Sequence, residues 1–180
     1  MRSKKIGICL LLVTIVLFGC KKADKLTQFN LKYDSSITIQ STTSINIPVN
    51  LFTPDIETNS EAEFAVHDTR KDKIQKITLS GMKVTITNPP GQEFDFLKDL
   101  EVFMSADGLA EIKIASKYNI SNSIGVVLTM DVTGEDFQEY IKKDNFILRV
   151  RSVTDETLLQ DVDLNIESTF WVDAKLIGKA

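Results

Sequence analysis

Apolar and polar residues alternate along nearly the whole of this chain, and a period of two commits it to β-strands. Ile45, Ile47, Val49 and Leu51 alternate with Ser44, Asn46, Pro48 and Asn50. Pro48 has no N–H to give to a ladder, so this strand is expected at a sheet edge or with a bulge. Met82, Val84 and Ile86 share a face before Asn88-Pro89-Pro90-Gly91 forces a turn. Leu100, Val102 and Met104 run into Ala106-Asp107-Gly108 and return through Ile112 and Ile114, the pattern of a hairpin with a glycine turn. Ile124, Val126, Leu128 and Met130 predict a further strand. Two short helices interrupt the pattern. Ser60 with Glu63 reads as a capping box ahead of Phe64, and Thr133 with Asp136 as a looser one ahead of Phe137, Tyr140 and Ile141. The expectation is an all-β sandwich of about nine or ten strands, its open end covered by the helices.

The last two strands invite a register. Phe146, Leu148 and Val150 share one face, with Arg149 and Arg151 on the other; Val162, Leu164 and Ile166 alternate with Asp161, Asp163 and Asn165. A hairpin turning at 155–157 sets Val150 opposite Val162, Leu148 opposite Leu164 and Phe146 opposite Ile166. It places Arg151 beside Asp161 and Arg149 beside Asp163, opposite charges that fix register. A one-residue slip would bury all four charges.

The N-terminus has a different character. Arg2, Lys4 and Lys5 precede an apolar run from Ile6 to Phe18, followed by Gly19-Cys20. As a helix that run spans about 20 Å, too short for a ~30 Å hydrocarbon core. A charged start, a short apolar centre and a small exit residue are the parts of a secretory signal. Leu17-Phe18-Gly19-Cys20 resembles the lipobox of bacterial lipoproteins, in which cleavage precedes the cysteine and the cysteine is then acylated. Phe18 departs from that pattern, where a smaller side chain is usual. Cys9 would leave with the signal, and Cys20 would be a lone exported thiol unless a lipid thioether occupies it. The expected organisation is a lipoprotein signal peptide over 1–19, a lipidated cysteine and tether over 20–25, and one β-sandwich domain over 26–180. Removing 19 of 180 residues leaves 161, enough for one domain. By resemblance to lipoprotein sorting, Lys22 in place of aspartate implies the outer membrane, facing the periplasm, with surface exposure the other possibility.

Losing Arg2, Lys4 and Lys5 moves the net charge from −4 to −7. An acidic chain of this kind argues against a nucleic-acid partner. A single histidine, His67, excludes most metal and triad chemistry, and no Gly-x-Ser-x-Gly elbow, phosphate loop or dinucleotide fingerprint is present. The acidic stripe Asp161, Asp163, Asn165 and Glu167 reads as a solvated, paired face, since calcium needs six to eight converging oxygens. Neither a metal, a cofactor nor a catalytic residue is expected, and the chain reads as a non-enzyme. Trp171 alternates with the apolar face of Phe170, Val172, Ala174 and Leu176, which sets it outward with Asp173 and Lys175. An outward tryptophan stacks on sugar rings or anchors a partner protein, unless a neighbouring element covers it. Phe94 and Phe96, after the Pro-Pro-Gly turn, are either loop-tip contacts or core plugs.

From residue 29 onward the chain resembles uncharacterised lipoproteins of Bacteroidetes-type bacteria. The resemblance rests on Ile77-Thr78-Leu79, Val84-Thr85-Ile86 with Asn88-Pro89, Phe94-Asp95-Phe96-Leu97-Lys98-Asp99-Leu100 and the closing Phe170-Trp171-Val172-Asp173-Ala174. Residues 84–109 are also similar to the water-stress (late-embryogenesis-abundant type) β-sandwich. Both resemblances imply an immunoglobulin-like two-sheet antiparallel sandwich, and neither carries over a ligand. The functional expectation is a lipid-anchored envelope module of structural or protein-interaction type. The alternative is a glycan- or small-ligand-binding lipoprotein using Trp171 and the loop aromatics.

Overall fold

The alternation becomes ten strands among the described residues: β1 (Gln28–Ile39), β2 (Val49–Phe52), β3 (Ile56–Glu57), β4 (Ile74–Asn88), β5 (Leu97–Ser105), β6 (Ile112–Lys117), β7 (Val127–Thr129), β8 (Asp131–Val132), β9 (Asn145–Thr154) and β10 (Val162–Ala174). The computed structural model describes residues 28–175. The signal segment, Cys20, the 20–25 tether and Leu176 lie outside the described residues. Two antiparallel sheets face each other, ordered β1-β10-β4-β7 and β2-β9-β5-β6-β8, with β3 also beside β9. The expected two-sheet antiparallel sandwich therefore forms. Its pairs are nested, β1 with β10, β2 with β9, β4 with β7 and β5 with β6, as in a long ribbon rolled up into a jelly roll.

The long strands send alternate side chains inward, with β4 changing phase where its register with β10 shifts, between Thr169 and Phe170 and between Asp173 and Ala174. Strand β10 alternates without a break from Val162 to Ala174, buried residues interleaved with half-buried ones. Inward aromatic rings tie the layers together. Phe170 of β10 meets Tyr33 of β1, Phe146 of β9 and Phe137 edge-on, with centroids 5.9, 6.3 and 6.1 Å apart. Such pairs add about 0.5–1.5 kcal/mol each beyond the area they bury. Phe137 precedes a one-turn helix, α2 (Gln138–Ile141), while the longer α1 (Ser60–Val66) inserts Phe64 into the core.

Several local expectations need correction. Strands β9 and β10 do not form a hairpin: β9 pairs with β5, β2 and β3, while β10 pairs with β1 and β4. Their inner faces were assigned correctly, but they meet across the sandwich rather than side by side. Alternation alone does not distinguish these two cases, because either one buries the same residues. Arg149 and Arg151 accordingly find Glu111 and Glu101, not Asp163 and Asp161. The acidic stripe is paired by hydroxyls instead. Asp161 accepts from the Ser41 amide and hydroxyl at 2.8 and 2.9 Å, and Asp163 accepts from the Thr38 hydroxyl at 2.7 Å.

The Pro48 strand does lie at a sheet edge, yet it begins only after the proline. Ile45 and Ile47 remain 45% and 57% exposed. Val126 is likewise exposed, because β7 starts one residue later and only Leu128 and Met130 turn fully inward. The capping box at Ser60 is not made. Asn59 enters the helix in a left-handed conformation (φ 46°), the Thr58 hydroxyl receives the Ser60 amide, and the Ser60 hydroxyl is buried without a partner. The looser box at Thr133 is not made either: α2 begins only at Gln138 with Phe137 at its N-cap, and Asp136 Oδ1 instead accepts from the amides of Gln138 and Ile77, both at 3.1 Å, pinning the helix to β4. The glycine hairpin between β5 and β6 forms as expected, with Gly108 at φ +71°.

Candidate interaction surface

Strand β1 runs twelve residues and pairs with β10 along its full length, in one unbroken register from Gln28–Asp173 to Ile39–Val162. Its other edge has no strand beside it among the described residues. A groove of about 680 Å³ lies along that edge. Seven consecutive residues of β1, Asn30 to Ser36, line it. Inward- and outward-facing residues alike contribute, so the wall is the strand's backbone edge rather than one of its faces. The opposite wall is the segment from Pro54 to Asn59, with Glu63 of α1 closing one end.

The walls are held together by a buried contact. The Tyr33 hydroxyl donates to the Thr58 carbonyl at 3.1 Å, and the Thr58 hydroxyl donates to the Lys143 carbonyl at 2.5 Å. Burial, and secondarily the charge of Glu63, push the Tyr33 phenol well above its ordinary range, so it remains a donor. Charge along the groove is lopsided. Asp34, Asp55, Glu57 and Glu63 face a single lysine, Lys32.

The residues singled out from the sequence are scattered rather than gathered. Trp171 is outward and half-buried, on the polar face of its sheet between Asn30 and Thr78 on the neighbouring strands. Asn30 borders the groove; Trp171 does not line it. Phe94 and Phe96 are not loop-tip contacts: they are 0% and 2% exposed, the two ends of a single 3-10 turn that folds both rings into the core. His67 stacks on Phe29 at 3.8 Å, and its amide closes the C-terminus of α1. No group of three or more His, Cys, Asp or Glu residues among those described is placed to hold a metal ion. Among the described residues no helix is long and apolar enough to cross a membrane.

Sequence patterns did not reveal a polar network on the outer face of the second sheet. Glu101, on β5, accepts from the Tyr118 hydroxyl at 2.5 Å and from Arg151 at 2.5 Å, with the Lys113 ammonium 3.5 Å away. The Tyr118 hydroxyl and then Arg151 outweigh desolvation and hold the Glu101 carboxyl below its ordinary range. Beside it Arg149 forks onto both oxygens of Glu111 at 2.8 and 2.6 Å and lies over the Phe103 ring at 4.0 Å. These partners come from three different strands and two loops, so no spacing in the sequence announces them. The open edge of β1 did leave a signal. Residues 28–39 alternate apart from Ser35 and contain no proline, unlike the segment around Pro48.

No family model matches the chain, and no curated protein matches it in sequence. Among solved structures it is similar to CpGH89CBM32-5 from Clostridium perfringens, in complex with GalNAc-β-1,3-galactose. The two are 10% identical, the match covers 80% of this chain and 97% of that one, and the TM-score is 0.36. It is also similar to FLHE, at 8% identity over 81% of this chain and 98% of the other, TM-score 0.33. A third likeness, to Desmodium yellow mottle tymovirus, has 11% identity, coverages of 85% and 91% and a TM-score of 0.29. Likenesses at this level carry no ligand and no activity across.

Proposed function

We propose that this chain is a lipid-anchored module of the cell envelope that works by holding a protein partner. The observation that carries this reading is the long open edge of β1 with its groove, where the other edge strands among the described residues are short. The sequence supports the anchor: the basic start, the short apolar run and Cys20 fit export and acylation of the cysteine, and Lys22 in place of aspartate fits the outer membrane, facing the periplasm. In sequence the tether lies just ahead of β1. Gln28 pairs with Asp173, so the two ends of the described chain share one end of the sandwich with α1 and α2. The loops at 40–48, 89–96, 118–126 and 155–161 gather at the other end, about 36 Å further along β1 at ~3.3 Å per residue.

Site-specific photocrosslinking in intact cells tests the reading. A photoreactive side chain at Asp55, in the groove wall, is expected to give a membrane-associated protein adduct. The same side chain at Thr129, on the opposite edge strand β7, is expected to give none. Cys20→Ser should release the chain from membranes. Adducts from Thr129 alone, or a wild-type chain found in the soluble fraction, would sink the proposal. A second reading, glycan binding, draws on Trp171, whose half-exposed ring sits among Asn30, Thr78, Thr169 and Asp173 on a polar face. A glycan array probed with the wild type and Trp171→Ala separates the two.

A further inference from the structure

Edge strands expose a row of unpaired N–H and C=O groups, and folded proteins usually blunt them with proline, a bulge, inward charges or brevity. Strand β1 carries none of these: it has twelve residues, no proline and an uninterrupted register, and its one lysine points outward. The other three sheet edges are different. Strands β7 and β8 have three and two residues, and β2, of four residues, follows directly on Pro48. An unblunted edge beside a groove is the geometry of β-strand addition, in which the main chain supplies affinity and alternate side chains supply specificity.

The charge of the groove selects the occupant. Asp34, Asp55, Glu57 and Glu63 meet only Lys32, and Asp34, Asp55 and Glu57 are exposed and free of ion pairs among the described residues. Glu63 is exposed as well, at the mouth near α1. We propose that the free edge of β1 takes up an extended, positively charged segment of another polypeptide as an added strand. The segment lies antiparallel or parallel to residues 30–36, with its basic side chains toward the Pro54–Asn59 wall. The proposal rests on the module reading above and names the partner's chemistry.

The full chain in detergent micelles is titrated with two eight-residue peptides, one alternating lysine with valine and one alternating glutamate with valine. Affinity is read by fluorescence anisotropy, and the site by amide hydrogen exchange. The lysine peptide is expected to bind at least about tenfold more tightly and to slow exchange at amides within 30–36. Asp55→Lys with Glu57→Lys should remove that preference, and because both side chains are exposed the double variant should unfold at the wild-type temperature. Equal affinity for the two peptides would overturn the proposal, as would protection at β7 instead of β1. Protection of β1 that rises with protein concentration and needs no peptide would assign the edge to a second copy of this chain and overturn it too. A crosslink at Asp55 without lysine-peptide binding would leave the module reading standing and the strand-addition proposal refuted; absence of both would refute both.

Discussion

Glu101→Gln and Arg151→Met, made singly and together, measure which carboxylate Arg151 serves. The Glu101 side chain is 11% exposed and that of Arg151 is 41%, so the pair is neither fully wet nor fully buried. Exposed pairs couple by about 0.2–1 kcal/mol, and hydrogen bonds to charged groups contribute about 1.5–3 kcal/mol. The exposed arginine pulls the value toward the lower range, giving an expected coupling of about 1 kcal/mol. A second cycle pairs Arg151→Met with Asp161→Asn. Asp161 is held by Ser41 in the loops at the end of the other sheet, so this coupling should be zero within about 0.3 kcal/mol. Urea unfolding at pH 7 of the four proteins in each cycle supplies both numbers.

The pH dependence of the first cycle has a definite sign. The folded carboxyl of Glu101 lies below its ordinary value of 4.5, so its stabilisation is complete above that pH and is lost as pH falls through the folded value. The coupling to Arg151 should therefore fade on acidification, and Glu101→Gln should flatten that part of the stability profile. A coupling above about 0.5 kcal/mol between Arg151 and Asp161, with none to Glu101, would refute the placement of β9 and β10 in different sheets.

Three further outcomes follow from the packing. Phe170→Ala removes a wholly buried ring and three edge-on aromatic contacts, and should cost about 4 kcal/mol in chemical denaturation. Gly108→Val forces a β-branched side chain into φ +71°, and should cost about 1–2 kcal/mol of thermal stability despite open space around the position. Trp171→Ala should leave crosslinking from Asp55 unchanged, since the ring does not line the groove; loss of the adduct would move the site onto the sheet face.

The sandwich was legible because burial and alternation are the same fact seen twice: Val84, Val102, Val150 and Leu164 point inward wherever their strands lie. Pairing was not legible in the same way. The link from Thr154 to Val162 has the length of a hairpin turn, but it carries the chain between sheets, with the Asp155 amide bonded to the Phe96 carbonyl. Local sequence sees the strand and its faces, whereas the choice of neighbour depends on strands a hundred residues away. The candidate site was hidden for a related reason. An open edge is defined by what does not pair with it, and Asp55, Glu57 and Lys32 meet only after β3 docks on β9. Phe94 and Phe96 mark a choice that the sequence leaves open and the fold decides for the core. A turn rich in proline and glycine suggests exposure, but the 3-10 geometry after it turns both rings inward.

The rolled-up pairing also sets an order of assembly. Among the described residues strand β1 has one neighbour, β10, with Gln28 and Asp173 joined across 144 residues of intervening chain. Strand β10 also lies between β1 and β4, so one whole sheet waits for the last strand to be made. A chain that crosses a membrane N-terminus first would present β1 long before β10 arrives, with both of its edges open. Such distant pairing slows folding and prolongs the interval in which an unpaired strand can find a wrong partner. For this sandwich, the C-terminal strand is the keystone, and losing residues 162–174 would strip β1 of its only ladder.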